Sequence, residues 1–137
     1  MANHYDFDMR IAYADTDRMG IVYYANYLAL FERGRTEFMR SLGLRYRDLE
    51  EKQRLFMPAK EAHVEYFSPA RYDEVIKIRT FLSELGHAHL TFGSEIYDEA
   101  GKLIAKGWVK LAIVNLLWKP TRLPADLRDL LQKNLVK

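Results

Sequence analysis

Between residues 25 and 42 the apolar side chains recur at three- and four-residue steps. Tyr27, Leu28, Phe31, Gly34, Phe38 and Leu42 share one face, and Glu32, Arg33, Thr36, Glu37 and Arg40 fall elsewhere. This is the one long amphipathic helix in the chain, and strand patterns surround it. Residues 4 to 13 alternate, with Tyr5, Phe7, Met9, Ile11 and Tyr13 opposite His4, Asp6, Asp8 and Arg10. After Pro58 the two-residue period returns four times. Ala62, Val64 and Tyr66 carry the first pattern, Ile76, Ile78 and Leu82 the second, and Ala88, Leu90, Phe92 and Ile96 the third. The fourth spans about 103 to 114 and is apolar on both faces in its second half, so a central place in the sheet is expected. Asp98-Glu99-Ala100-Gly101 and Gly86 mark the hairpin turns.

One long helix can bury its apolar stripe only against the sheet that these strands form, which makes the chain an α+β protein. Gly34 sits mid-helix, where glycine costs about 1 kcal/mol relative to alanine. Contact with the sheet too close for a side chain would account for it. Gly43 is placed to end the helix in the left-handed conformation, and Asn26 is a plausible N-cap, with Tyr23 or Tyr24 an equally good start. Tyr46 and Leu49 suggest a short second helix, and Leu127, Leu130 and Leu131 a terminal one. A single helix leaves part of such a sheet uncovered, so apolar surface for a partner subunit is expected.

The segment joining the first strand to the helix carries the chemistry. Asp15 and Asp17 lie in a turn, followed by Gly20 and the aromatic run to the helix start. A carboxylate next to the free amides of a helix N-terminus combines a base or nucleophile with donors for a developing oxyanion. An aspartate before a glycine also commonly bonds turn amides, and one of the pair is expected to be structural.

Composition excludes several other classes. A net charge of +2 on 137 residues, without a run of five like charges, gives no nucleic-acid footprint. There is no cysteine, which removes disulfides, zinc–thiolate sites and thiol nucleophiles. No Gly-x-Ser-x-Gly elbow, Gly-x-Gly-x-x-Gly or P-loop is present. His87 and His89 are expected on one strand face, as a pair of metal ligands would be, without an evident third ligand, and His63 reads as a surface residue. No signal sequence or membrane span is recognisable, so a cytoplasmic protein is expected.

The run Asp15-Thr-Asp17-Arg-Met-Gly20-Ile-Val-Tyr-Tyr24-Ala-Asn-Tyr27 resembles the signature of hotdog-fold acyl-CoA thioesterases. The similarity is to the 4-hydroxybenzoyl-CoA thioesterase branch, which includes the Tol-Pal-associated enzyme. It continues through Phe31-Glu32, Arg35, Leu42-Gly43, the run 66 to 73, Leu90-Thr-Phe92, Glu95-Ile96, Gly101, Pro120 and Leu123-Pro124. The resemblance implies a single hotdog domain over 1 to 137, with a curved five-stranded antiparallel sheet wrapped around a central helix and dimerising through the sheet. It implies hydrolysis of an aryl- or short- to medium-chain acyl-CoA in a homodimer or homotetramer, without a metal or other cofactor.

In that family the second aspartate of the motif is catalytic, here Asp17, and the amide of the residue at Tyr24 polarises the thioester carbonyl. Coenzyme A also brings phosphates, for which Lys60, Arg71, Lys106 and Lys110 are candidate partners. Tyr13, Tyr23 and Phe92 are candidates for an aryl pocket and equally suit a core. The alternatives on the same fold are an acyl-carrier-protein thioesterase, a dehydratase and a non-catalytic acyl-CoA-binding protein. A dehydratase is expected to need a histidine in the pocket, and the motif has none nearby.

Overall fold

The structure, a computed structural model, describes residues 3–136. In chain order it contains β1 (His4–Arg10), α1 (Tyr27–Ser41), α2 (Tyr46–Lys52), β2 (Ala59–Tyr66), β3 (Val75–Leu85), β4 (His89–Tyr97), β5 (Leu103–Ala112) and α3 (Ala125–Lys133). Short 3-10 turns at Tyr13–Asp15 and Tyr24–Asn26 link β1 to α1. The five strands form one antiparallel sheet in the order β1-β3-β4-β5-β2. Register shifts that leave an extra residue in β2, β3 and β5 bend it, as bulges do, so that it curves around α1.

The alternation read from the sequence becomes rows across the inner face. Ile78, Ile96 and Ala105 stand side by side, as do Thr80, Ser94 and Gly107, and Leu82, Phe92 and Val109. α1 lies over these rows, mainly on β3 and β1. It buries Tyr27, Leu30, Phe31, Phe38 and Met39, and the Phe38 ring meets Phe92 edge-on at 5.7 Å. Gly34 is where the helix comes closest to the sheet. A Cβ there would stand 2.5 Å from Thr80 Oγ1 and 2.6 Å from Ile78 Cγ2, so only glycine fits. Gly43 ends the helix at φ +85°, and its N–H bonds the Arg40 carbonyl.

Four local expectations change. The first strand stops at Arg10 because the chain turns away from β3 there, and Tyr13 lies in the following 3-10 turn, 80% exposed and edge-on to Tyr72. Asn26 has helical backbone and makes no side-chain cap; its amide holds the Asp15 carbonyl at 3.0 Å instead. The middle strand is β4, and β5 lies between it and the edge strand β2. The apolar second half of β5 reflects neighbours on both sides rather than a place at the centre. His87 falls in the turn before β4, so it does not share a strand face with His89.

Candidate active site

The segment between β1 and α1 is held from both sides. Thr16 bridges Val22, and the Asp17 N–H donates to the Ile21 carbonyl at 2.9 Å. Gly20 takes φ +78° at the tip, and its N–H donates to the Asp17 carbonyl at 3.0 Å. The returning arm lies against residues 70 to 72. Val22 N–H donates to the Ala70 carbonyl at 2.8 Å, and Tyr72 N–H to the Gly20 carbonyl at 3.0 Å. The loop is thus fixed at the end of the sheet.

Within it the two aspartates have different jobs. Asp15 Oδ2 accepts the Ala12 N–H at 2.8 Å, and the Asp15 carbonyl accepts the Tyr23 N–H at 3.1 Å and the Asn26 amide at 3.0 Å. It ties the loop to the helix start. Asp17 Oδ1 accepts the Met19 N–H at 2.8 Å, which orients the half-buried carboxylate, and no cation among the described residues pairs with it. The Tyr24 hydroxyl beside Tyr23 and, to a lesser degree, the Asp17 carboxylate push the Tyr23 phenol above its ordinary range.

Tyr24 begins the helical segment. Tyr23 O accepts the Asn26 N–H at 2.8 Å, closing a turn around Tyr24 and Ala25, whose N–H groups have no partner within it. The Tyr66 hydroxyl donates to the Tyr24 carbonyl at 2.9 Å and pins that turn to the end of β2. The Tyr66 ring also packs edge-on against Tyr24 and Tyr27. Asp17 and Tyr24 line the same cleft, of about 650 Å³, together with apolar and aromatic side chains that include Tyr23, Tyr27, Tyr66 and Phe67.

The other sequence candidates divide by position. Arg71 pairs across from Ile21, and Lys106 Nζ stands 5.7 Å over the Phe67 ring; both neighbours line the cleft. Lys60 is exposed at the start of β2, and Lys110 pairs with Glu61 at 3.9 Å on the outer face of the sheet. Tyr23 lines the cleft, whereas Phe92 is core under α1 and Tyr13 packs on Tyr72. Tyr66 was the site residue that sequence reasoning missed. The run 66 to 73 carried part of the resemblance, but no spacing rule places it against residue 24. Among the described residues no three His, Asp or Glu side chains gather as a metal ion would require, and no helix is long and apolar enough to cross a membrane.

Residues 11–131 match the family model described as the thioesterase-like superfamily. The acyl-CoA thioesterase YbgC of Haemophilus influenzae is 34% identical over 127 residues, covering 92% of this chain and 93% of its own. Two solved structures superpose closely. A DHNA-CoA thioesterase from Staphylococcus aureus has a TM-score of 0.90 at 29% identity, covering 95% of this chain and 89% of its own. A hypothetical protein from Thermus thermophilus has 0.89 at 30% identity, covering 98% and 99%.

Proposed function

The chain belongs to the thioesterase-like superfamily and is a thioester hydrolase; from that premise we propose that it cleaves acyl-CoA, with Asp17 as the reacting carboxylate and the Tyr24 N–H as the oxyanion donor. The observation that carries this is the shared cleft: Asp17 and Tyr24 line the same largely apolar wall, and the Tyr24 N–H has no backbone partner among the described residues. The thioester carbonyl lies against the Tyr24 N–H, which gains strength as negative charge grows on the oxygen. Removing such a donor typically costs about 3–4 kcal/mol of transition-state stabilisation.

A thioester carbonyl is less resonance-stabilised than an amide, so a carboxylate can act on it at neutral pH. Asp17 attacks it directly, breaking the C–S bond to give a mixed anhydride and the coenzyme A thiolate, or takes a proton from a water that attacks the carbonyl and expels the same thiolate. Hydrolysis in heavy-oxygen water under single turnover separates the routes. Label left in Asp17 identifies an anhydride opened by water at the aspartyl carbon, and an acyl-aspartate trapped by rapid quenching identifies one opened at the acyl carbon; label in the acid with no trapped acyl-enzyme identifies direct water attack.

The tyrosine-rich, apolar lining suits an aryl or a short- to medium-chain acyl group. Arg71 and Lys106, which touch cleft-lining residues, are best placed to meet the coenzyme phosphates. The working protein is an oligomer: β2 is paired on one side only and its end forms a wall of the cleft, so a second subunit added at that edge would cover the site.

The test is thiol release from a panel of aryl- and alkyl-CoA thioesters by the wild type and Asp17→Asn. The expected result is turnover that falls by about two orders of magnitude or more in the variant, the scale of a lost general base, with an unchanged melting midpoint. Equal turnover in both would remove Asp17 from the mechanism. Binding without turnover in the wild type would establish a carrier instead.

A further inference from the structure

Away from the Asp17 cleft, a second cavity of about 350 Å³ opens between α1, α2 and β5, and its wall is basic. Arg35 and Arg40 reach it from α1, and Arg45 and Arg47 stand on either side of Tyr46 at the start of α2. Against these four guanidinium groups the wall has two carboxylates, Glu32 and Glu50, a formal balance of +2. The arginines are not equally committed. Arg45 bonds Asp48 at 3.0 Å, and Arg40 lies 3.8 Å from Glu37. Among the described residues Arg35 and Arg47 have no carboxylate within 4 Å, although Glu32 is one turn before Arg35.

The Tyr46 hydroxyl is the second observation. Tyr46 lines the cavity, and its buried hydroxyl lies beside the Arg35 guanidinium with no partner in good hydrogen-bond geometry among the described residues. Burial pushes this phenol up to about 12, with Arg35 opposing the shift and Glu32 adding to it, so it remains a donor at any ordinary pH. The hydroxyl can only accept from a guanidinium, so its own proton lacks an acceptor, and an anion drawn to Arg35 would supply one.

We propose that the cavity between α1 and α2 binds a phosphate monoester, separately from the thioester cleft. Planar guanidinium forks match phosphate oxygens in pairs, and the excess charge of the wall suits a dianion. Met57 and Leu111 give the cavity an apolar side, against which the carbon end of the ester rests. Arg35 follows Tyr24 by eleven residues along the helical segment, so the two sites lie roughly 17 Å apart along its axis. The phosphate belongs either to the substrate's own coenzyme or to a separate phosphorylated metabolite, and the chemistry of recognition is the same.

The full-length protein is titrated calorimetrically with inorganic phosphate, coenzyme A and 3′-dephospho-coenzyme A. Wild type, Arg35→Gln, Tyr46→Phe and Asp17→Asn are compared. Phosphate is expected to bind the wild type and Asp17→Asn alike, and about tenfold or more weakly in Arg35→Gln and Tyr46→Phe, the scale of a lost charge-assisted bond. If coenzyme A loses affinity both with its 3′-phosphate and in Arg35→Gln, the coenzyme is the source. If only inorganic phosphate depends on Arg35, a separate metabolite is the source. No phosphate binding to the wild type, or equal binding in all four proteins, overturns the proposal. A merely structural Arg35 predicts a lower melting midpoint with phosphate affinity unchanged. Tyr46→Phe removes only the hydroxyl and keeps the ring and all the charges, so it keeps the test open if Arg35→Gln fails to fold.

Discussion

Asp15 and Asp17 are two residues apart and chemically identical, yet their surroundings divide the work. Asp15 spends its side chain and its carbonyl on the Ala12, Tyr23 and Asn26 groups, and Asp17, which lines the cleft, has one carboxylate oxygen without a partner among the described residues. Replacing Asp15 by alanine is expected to cost about 1 kcal/mol, the net worth of a typical hydrogen bond, and to lower the melting midpoint. Asp17→Asn is expected to leave the midpoint in place and remove turnover. Thermal denaturation beside the thiol-release assay separates these effects. The sequence announced that one of the pair would be structural, but which one depended on the backbone path between them. Tyr66 was illegible for a similar reason, since its bond to the Tyr24 carbonyl joins residues 42 positions apart.

At the scale of elements, two contacts explain why the helix and first strand sit where they do. Gly34→Ala would bring a methyl within 2.6 Å of stiff, branched side chains on β3. Overpacking of that kind typically costs about 1–3 kcal/mol and outweighs the gain in helix propensity of about 1 kcal/mol. A lower midpoint in chemical denaturation would show it; a gain in stability would mean that α1 can lift off the sheet.

β1 is fastened to β3 by Asp6, which accepts two bonds from Arg79 at 2.9 and 3.1 Å. The Arg79 hydrogen bond holds the Asp6 carboxyl below its ordinary range, against the opposing effect of burial. A depressed folded-state value means that the pair stabilises the fold above the unfolded-state value, near 3.8, and that this contribution is lost as pH falls through the folded-state value. The pair is partly solvated, so its worth is about 0.5–1 kcal/mol. Asp6→Asn is expected to be less stable than the wild type by that amount at pH 7. The two should converge below pH 4 in melting curves taken across that range.

For the whole molecule, the open question is what covers the sheet edge. β2 is exposed along nearly its full length, has a free edge and ends at the cleft. An unpaired edge of eight residues is a template for another strand, and two subunits joined there would make one continuous sheet. Sedimentation equilibrium is expected to give a dimer or tetramer, well above the 16.2 kDa of one chain. A monomer that retains full activity would show that the cleft needs no partner.

The amino-acid order alone determined the α+β class, the long helix, five strands and the two hairpin turns, because hydrophobic period and turn residues act locally. The segment carrying Asp17 and Tyr24 was legible as one unit because its residues are close in sequence, and both line one cleft. Only the tertiary structure decided that β4 is central, that Phe92 is core while Tyr23 faces the cleft, and that Tyr66 braces the helix start. It alone brought Arg35 beside Tyr46. Strand order and contacts across the sheet depend on which distant segments meet, and the period of a single segment carries no information about its partner.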